Sequence, residues 1–222
     1  NDRVLKLSTS LKTGGVGQFG QVGGHEIESM VTLWKYFNID VSDMADAYKK
    51  KMAKDKFKAL ESMYRSVANT IADQLSGHEV PKEAKFVENI ANVITHFATL
   101  GDPTVKLVDF SKGGYKVLSF KNLQRKLQDI DLTASYVENK ARPEISIHDA
   151  ANPKRSLITV RVKIENRIDK NKQPYQYVRN IIEKGPLLEE LVVVQSGKLE
   201  EPAPVSKPRA KRTNSTAPRS KR

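Results

Sequence analysis

The sequence contains no cysteine in its 222 residues, so disulfide bonds, thiolate metal sites and cysteine nucleophiles are excluded. A chain without cysteine fits a reducing cytoplasm or, alternatively, a virus particle, and these are the two localisations that we expect. Apolar runs of the roughly eighteen residues that a membrane-spanning helix needs are missing as well. The polar first eleven residues do not have the pattern of a secretory signal. The sequence therefore predicts no membrane partner.

Acidic residues are scarce relative to basic ones. The chain has 26 Asp and Glu against 38 Lys and Arg, which gives a formal net charge of +12. Seven of the basic residues lie between Lys207 and Arg222, a stretch without an acidic residue, so the preceding chain carries only about +5. A segment this rich in Lys, Arg, Ser, Thr and Pro buries too little apolar surface to fold alone. We therefore expect residues 196–222 to form a disordered basic tail.

Such a tail attracts the phosphates of nucleic acid regardless of base sequence, because its charges displace condensed counterions. DNA is the partner that we favour. The tail residues predicted to contact it are Lys207, Arg209, Lys211 and Arg212. A tail that only confers solubility is the alternative interpretation. Attraction to an anionic membrane is less favoured, because no amphipathic apolar stripe accompanies the charges.

Residues 13–24 contain six glycines in twelve positions. A phosphate-binding loop would need a Lys-Ser or Lys-Thr ending, and a dinucleotide-binding turn would need G-x-G-x-x-G after a strand; neither is present. We therefore expect residues 1–24 to be a flexible glycine-rich segment that leads into a helix. A single globular domain over residues 25–195 is expected to follow, because that length is enough for one hydrophobic core.

Apolar residues recur every three or four positions in the first half of this domain and every second position in much of the rest. The three- and four-residue spacing predicts helices from His25, from Asp43 to Gly77, from Pro81 to Leu100, and over 122–139. The two-residue spacing predicts strands at 105–110, 115–120, 144–148, 156–164 and 177–182, before a short helix or strand at 187–194. We therefore expect an α+β or mixed α/β fold, in which a helical N-terminal half precedes a mixed central sheet of about four to five strands.

One predicted hairpin carries side chains that Mg²⁺-dependent nucleases use. Asp109 lies on its first strand, and Lys121 follows the second strand, twelve residues later across a Gly-Gly turn. A carboxylate can hold a divalent metal that polarises the scissile phosphate, and a lysine can stabilise the negative charge that develops. At a period of two, Ser119 and Lys121 point to the same face of the strand.

At these residues the chain resembles the restriction-endonuclease-like superfamily, whose motif is PD-(D/E)-x-K. Asp109 matches the motif's Asp, and Ser119-Phe120-Lys121 stands at the (D/E)-x-K position. The stretch Gly23–Glu28 resembles the family's first helix, where a Glu often joins the metal site. The resemblance extends over roughly residues 23–191 and implies a restriction-endonuclease-like fold.

Ser119 departs from the motif, because it stands where the second acid belongs. Some restriction enzymes also have Ser-x-Lys and take the missing acid from the following helix. In this chain Asp129, Asp131 and Glu138 are available, and Glu138 is placed best relative to Lys121. The resemblance thus implies Mg²⁺ held by Asp109, Glu28 and Glu138, with Asp109, Lys121 and Glu138 as the catalytic residues.

Two functions follow as hypotheses. The first is a Mg²⁺-dependent DNA endonuclease of restriction type, for which the resemblance implies a dimer. Its candidate DNA contacts are Arg161, Lys163 and Arg179. The second is a non-enzymatic nucleic-acid-binding structural protein with a basic arm, such as a viral capsid, neck or nucleocapsid component. A competing nuclease site at Glu144, Asp149 and Lys163 is less favoured, because Arg161 stands where a carboxylate is wanted.

Overall fold

A computed structural model describes residues 11–13, 18–25, 27–51, 53–76, 80–111, 113–138 and 142–198. Within these ranges the chain is α+β, as its periodicity predicts. The helices are α1 (Glu28–Tyr36), α2 (Ser42–Lys49), α3 (Ala53–Leu75), α4 (Val80–Thr99), α5 (Leu123–Leu127) and α6 (Pro186–Val192). The strands are β1 (Leu11–Thr13), β2 (Gln18–His25), β3 (Lys106–Ser111), β4 (Gly114–Ser119), β5 (Leu132–Tyr136), β6 (Glu144–Asp149), β7 (Asn152–Ile168), β8 (Pro174–Lys184) and β9 (Val193–Lys198).

The strands form two sheets rather than the one central sheet that we expected. The larger sheet has the order β2-β8-β7-β6-β5 and is antiparallel throughout. The smaller has the order β1-β3-β4-β9, in which β1 runs parallel to β3 and the other pairs are antiparallel. A two-residue apolar period determines which face of a strand is buried, but it does not select the neighbouring strand. The sequence therefore identified most strands but, apart from the β3–β4 hairpin, not their partners.

One face of the larger sheet packs against the helices and forms the core with them. Val160 and Val162 of β7 and Val178 of β8 alternate inward and are almost fully buried. From the helices, Trp34 of α1 and Tyr64 of α3 meet edge to face, with ring centroids 6.0 Å apart. Both rings are fully buried, so they serve packing.

A buried polar network crosses the boundary between the sheet and the helices. Asn180 of β8 has no exposed surface, and its side-chain amide donates to Ser29 Oγ at 3.2 Å and to the Val22 carbonyl oxygen at 3.4 Å. Tyr64 Oη donates to Asn180 Oδ1 at 3.3 Å, and Ser29 Oγ donates to the Val178 carbonyl oxygen at 3.1 Å. Because each of these polar groups has a partner, their burial carries no unpaired donor or acceptor cost. The network ties α1 and α3 to β8.

Two parts of the segment expected to be flexible over 1–24 lie in strands instead, residues 11–13 in β1 and residues 18–24 in β2. The glycines there permit close packing: a Cβ on Gly20 would lie 2.8 Å from Phe97 Cβ, and one on Gly23 would lie 2.6 Å from Tyr177 Oη. A strand glycine of this kind marks a close approach of a neighbouring side chain. Residues 1–10 and 14–17 lie outside the described residues.

Two further boundaries differ from the predicted ones. The helix expected over 122–139 ends after five residues, and Leu132–Tyr136 instead pairs with β6 as strand β5. Residues 196–198 of the segment expected to form the tail belong instead to strand β9, which pairs with β4. Both segments are short and mostly polar, so pairing with a neighbouring strand overrides their weak local pattern. Residues 199–222 lie outside the described residues.

Candidate nucleic-acid interface

The predicted hairpin of β3 and β4 exists, but its register separates the motif residues. Asp109 lies opposite Lys116, whereas Ser119 lies opposite Lys106 at the other end of the hairpin. Ser119 is thus displaced from Asp109 by three residues, roughly 10 Å along the strand. Lys121 lies farther on, exposed in the turn after β4. The hairpin register therefore does not bring Asp109 and Lys121 together.

Asp109 instead belongs to a group of four charged residues that we call the sheet-bridging cluster: Asp109, Lys116, Lys184 and Glu189. Lys184 Nζ of β8 lies 3.2 Å from Asp109 Oδ2 and 2.9 Å from Glu189 Oε2. Lys116 of β4 also pairs with Glu189. These ion pairs lower the pKa of Glu189, the one with Lys116 most and the one with Lys184 next. Two acids balance two bases, and the cluster joins the two sheets.

The other predicted metal ligands lie in separate ion pairs. Glu28 Oε1 is 2.9 Å from Lys49 Nζ, and Glu138 Oε2 accepts from Arg65 Nη2 at 3.0 Å. The structure therefore does not bring Glu28 and Glu138 together with Asp109. In the described ranges, no group of three or more His, Asp or Glu side chains is arranged to hold a metal ion.

The competing acidic set is not assembled either. Glu144 and Asp149 stand at opposite ends of β6. Glu144 lies opposite Arg161, whereas Asp149 accepts a hydrogen bond from Arg155.

The predicted DNA contacts Arg161, Lys163 and Arg179, by contrast, are brought together. They lie on β7 and β8, and Lys163 is directly opposite Arg179. Val160, Val162, Val178 and Asn180 point into the core. Strand alternation therefore turns the three cations to the opposite face of the sheet. We call this surface, with Glu165, Arg167 and Tyr177, the basic face.

Glu165 is the centre of the basic face, because three cations share its carboxylate. Arg167 Nη2 lies 2.7 Å from Glu165 Oε2, Lys163 Nζ lies 3.0 Å from Oε1, and Arg179 Nη2 lies 3.2 Å from Oε2. Hydrogen bonds from Arg167 and Lys163, in that order, lower the pKa of Glu165 to about 2. One negative charge thus faces three positive charges, and the group retains a net charge of +2.

Two further contacts shape this surface. The Arg167 guanidinium lies 3.8 Å from the centre of the Tyr177 ring, a cation–π distance, while the Tyr177 hydroxyl lies over Gly23. Arg179 Nε is buried without a hydrogen-bond partner. Arg161 lies beside this group and is paired with Glu183 at 2.7 Å. Among the described residues, no acceptor satisfies this buried donor of the basic face.

The chain concentrates its positive charge in two segments of the described structure. Residues 163–179, the β7–β8 hairpin, contain five basic and two acidic residues, which is +3 of the roughly +5 carried before residue 207. Residues 49–58, around the α2–α3 connection, contain six lysines and one acid. The lysines of this second segment were not among the predicted site residues, although six lysines in ten residues are a visible signal. We call residues 49–58 the lysine junction.

No family model, curated protein or solved structure matches this chain. Among the described residues, none of the helices combines the length and apolar character required to cross a bilayer. The predicted tail contacts Lys207, Arg209, Lys211 and Arg212 lie outside the described residues.

Proposed function

We propose that this protein binds nucleic acid through the basic face and the basic tail, as a non-enzymatic structural component. The observation that carries the proposal is the sharing of Glu165 by Lys163, Arg167 and Arg179. A folded protein gathers like charges at an electrostatic cost, and one carboxylate offsets only part of it. Backbone phosphates supply the remaining negative charge.

The chemistry of these side chains suits phosphate. Arginine presents planar, forked donors that match phosphate oxygens, and lysine adds a point charge. Arg179 Nε is a buried N–H donor that has no partner in the described part of the chain, so an anion oxygen that reached it would satisfy it. Contacts of this kind position a nucleic acid without selecting its base sequence. The proposed binding is therefore electrostatic and only weakly dependent on sequence.

The test is a titration of affinity against salt, with fluorescence anisotropy of labelled DNA as the readout. We compare the full chain with a double variant, Lys163→Ala and Arg179→Gln, and with a control, Lys85→Ala and Lys106→Ala, whose lysines are exposed elsewhere. Loss of two phosphate contacts flattens the slope of log K against log salt by about 1.8 on duplex DNA. The control variant keeps the original slope.

Circular dichroism and thermal melting check that both variants are folded. Full-length protein that binds neither DNA nor RNA at low salt would contradict the proposal. Equal salt slopes for the two double variants would show that the basic face does not contact the phosphates.

The Mg²⁺-dependent endonuclease, with the dimer that it implies, remains the alternative hypothesis. Because Asp109, Lys121 and Glu138 are not gathered into one site, we expect mixed-sequence plasmid to stay intact with Mg²⁺ or Mn²⁺ over a broad range of protein concentration. Cleavage that EDTA abolishes and that Lys121→Ala removes, with binding retained, would instead establish the nuclease.

A further inference from the structure

Part of the positive charge of the lysine junction is left uncompensated by the other described residues. The side chains of Lys50, Lys51 and Lys58 are exposed, and no described acid forms an ion pair with any of them. Lys51 and Lys58 also line a groove of about 520 Å³ between α2 and α3. Exposed lysines alone are ordinary solvated groups, so a binding role for them requires a second feature beside them.

An exposed aromatic ring adjoins one of these lysines in the sequence. Phe57 follows Lys56 and precedes Lys58, and it is 44% exposed. It continues the spacing of the buried stripe on α3, where Leu60 and Tyr64 are fully buried. The core does not cover Phe57, although its position on the helix would allow it. Its ring is therefore available to a partner.

The lysine junction is linked to strand β8, which carries Arg179, through the first turn of α1. Lys49 pairs with Glu28 at 2.9 Å, and the neighbouring Ser29 donates to the Val178 carbonyl oxygen at 3.1 Å. The first turn of α1 thus lies between the junction and β8. Because α1 packs on the face of the larger sheet opposite to the basic face, the junction and the basic face are two separate cationic surfaces.

The basic face and the lysine junction differ in whether a nucleic-acid base can stack on their aromatic ring. The Tyr177 ring on the basic face already has the Arg167 guanidinium over it and Gly23 beneath its hydroxyl. A base therefore cannot stack on Tyr177 without displacing Arg167, whereas Phe57 has exposed ring surface. Stacking on an aromatic ring requires an unpaired base, because bases within a duplex already stack on each other.

We infer that the lysine junction binds single-stranded nucleic acid, with a base stacked on Phe57 and neighbouring phosphates held by Lys50, Lys51 and Lys58. This inference rests on the proposed function and names its substrate class. In this inference the junction selects single-stranded over duplex nucleic acid. The basic face and the tail attract either form regardless of sequence.

The first experiment measures dissociation constants for oligo(dT) and for a duplex of equal length. Phe57→Ala weakens oligo(dT) binding roughly ten-fold and changes duplex binding less than two-fold, because only the single strand offers a base to stack. The matched control is Tyr36→Ala, which removes a ring that is 40% exposed beside His96 and leaves both constants unchanged. Phe57→Trp retains oligo(dT) binding, and its fluorescence is quenched when oligo(dT) binds.

The second experiment removes the three lysines. Lys50→Ala, Lys51→Ala and Lys58→Ala together flatten the salt slope for oligo(dT) by about two units. A control with Lys85, Lys106 and Arg125 changed to Ala does not. Equal losses on duplex and single strand for Phe57→Ala would overturn the single-strand assignment.

The outcomes also separate this inference from the proposed function. Intact DNA binding that depends on Lys163 and Arg179, but is unaffected by Phe57→Ala and the lysine variant, overturns the inference alone. Absence of all nucleic-acid binding by the full chain overturns both.

Discussion

The sheet-bridging cluster and the basic face are built from similar charged side chains in different proportions. In the first, Asp109 and Glu189 balance Lys116 and Lys184, and the Lys184 side chain is only 11% exposed. In the second, Glu165 alone faces three cations. Balanced charge in a partly buried position joins elements of structure, whereas an excess of one sign on an exposed sheet face attracts an outside partner. This contrast predicts which variants change stability and which change binding.

The largest expected effect on nucleic-acid binding comes from deleting the tail, so that the basic face acts without it. Deleting Lys207–Arg222 removes seven positive charges, so duplex binding weakens for every sequence and the salt slope flattens by roughly four to six units. Affinity titrations with the full and truncated chains on two unrelated duplexes measure this change. The residual slope of the truncated chain then reports residues 1–206 without the tail. An unchanged slope would mean that the tail does not contact phosphate.

The sheet-bridging cluster should respond through stability. Glu189→Gln leaves Lys116 without its acid and leaves the nearly buried Lys184 with Asp109 alone, so we expect the free energy of unfolding to fall by about 2 kcal/mol. Urea denaturation measures it. The control is Glu190→Gln, because Glu190 is 63% exposed in its pair with Arg155 and an exposed pair contributes about 0.5 kcal/mol. Equal losses in the two variants would contradict a structural role for the cluster.

The basic face should respond in the opposite way when its carboxylate is neutralised. Glu165→Gln removes the negative charge that competes with phosphate, so duplex affinity rises several-fold and the salt slope steepens by up to about 0.9. Glu88→Gln, on the exposed side of α4, serves as the control and changes neither. Weaker binding by the Glu165 variant would show that this carboxylate organises the cations more than it competes with the ligand.

The smallest expected effect is that of pH on binding. The folded-state pKa of Glu165 is lowered to about 2, so this carboxylate stays ionised from pH 8 down to pH 4 and its cations keep the same charge. Its contribution to stability is present above the pKa of the unfolded chain and is lost as pH falls from about 4.5 towards 2. Anisotropy at constant ionic strength measures the binding. A several-fold rise in affinity between pH 6 and pH 4 that Glu165→Gln abolishes would contradict the assigned titration.

The sequence predicted the local elements more reliably than their assembly. The helices around Trp34, Tyr64 and Ile90 follow from apolar residues at three- and four-residue steps, and the turn at Gly113, whose φ is +75°, follows from the Gly-Gly pair. Strand β2 was missed because glycines hide a strand pattern when neighbouring rings, such as Phe97, occupy the space of their side chains.

Some residues of the candidate site could be grouped from the sequence, and others could not. Arg161, Lys163 and Arg179 could be nominated from sequence, because alternation places residues two apart on one face of a strand. Asp109 and Lys121 could not be tested in that way, because their meeting depended on the hairpin register. That register puts Lys116, rather than a residue near Lys121, opposite Asp109.

The sequence by itself determined the α+β character, the absence of thiol chemistry and the excess of positive charge, since each is a property of composition or of local periodicity. Only the tertiary structure decided that Lys184 joins Asp109, that Glu165 gathers three cations, and that the lysine junction connects through α1 to β8. Local pattern specifies which face of an element is buried. Long-range pairing and side-chain reach determine which charges meet, and the spacing of residues along the chain does not encode either.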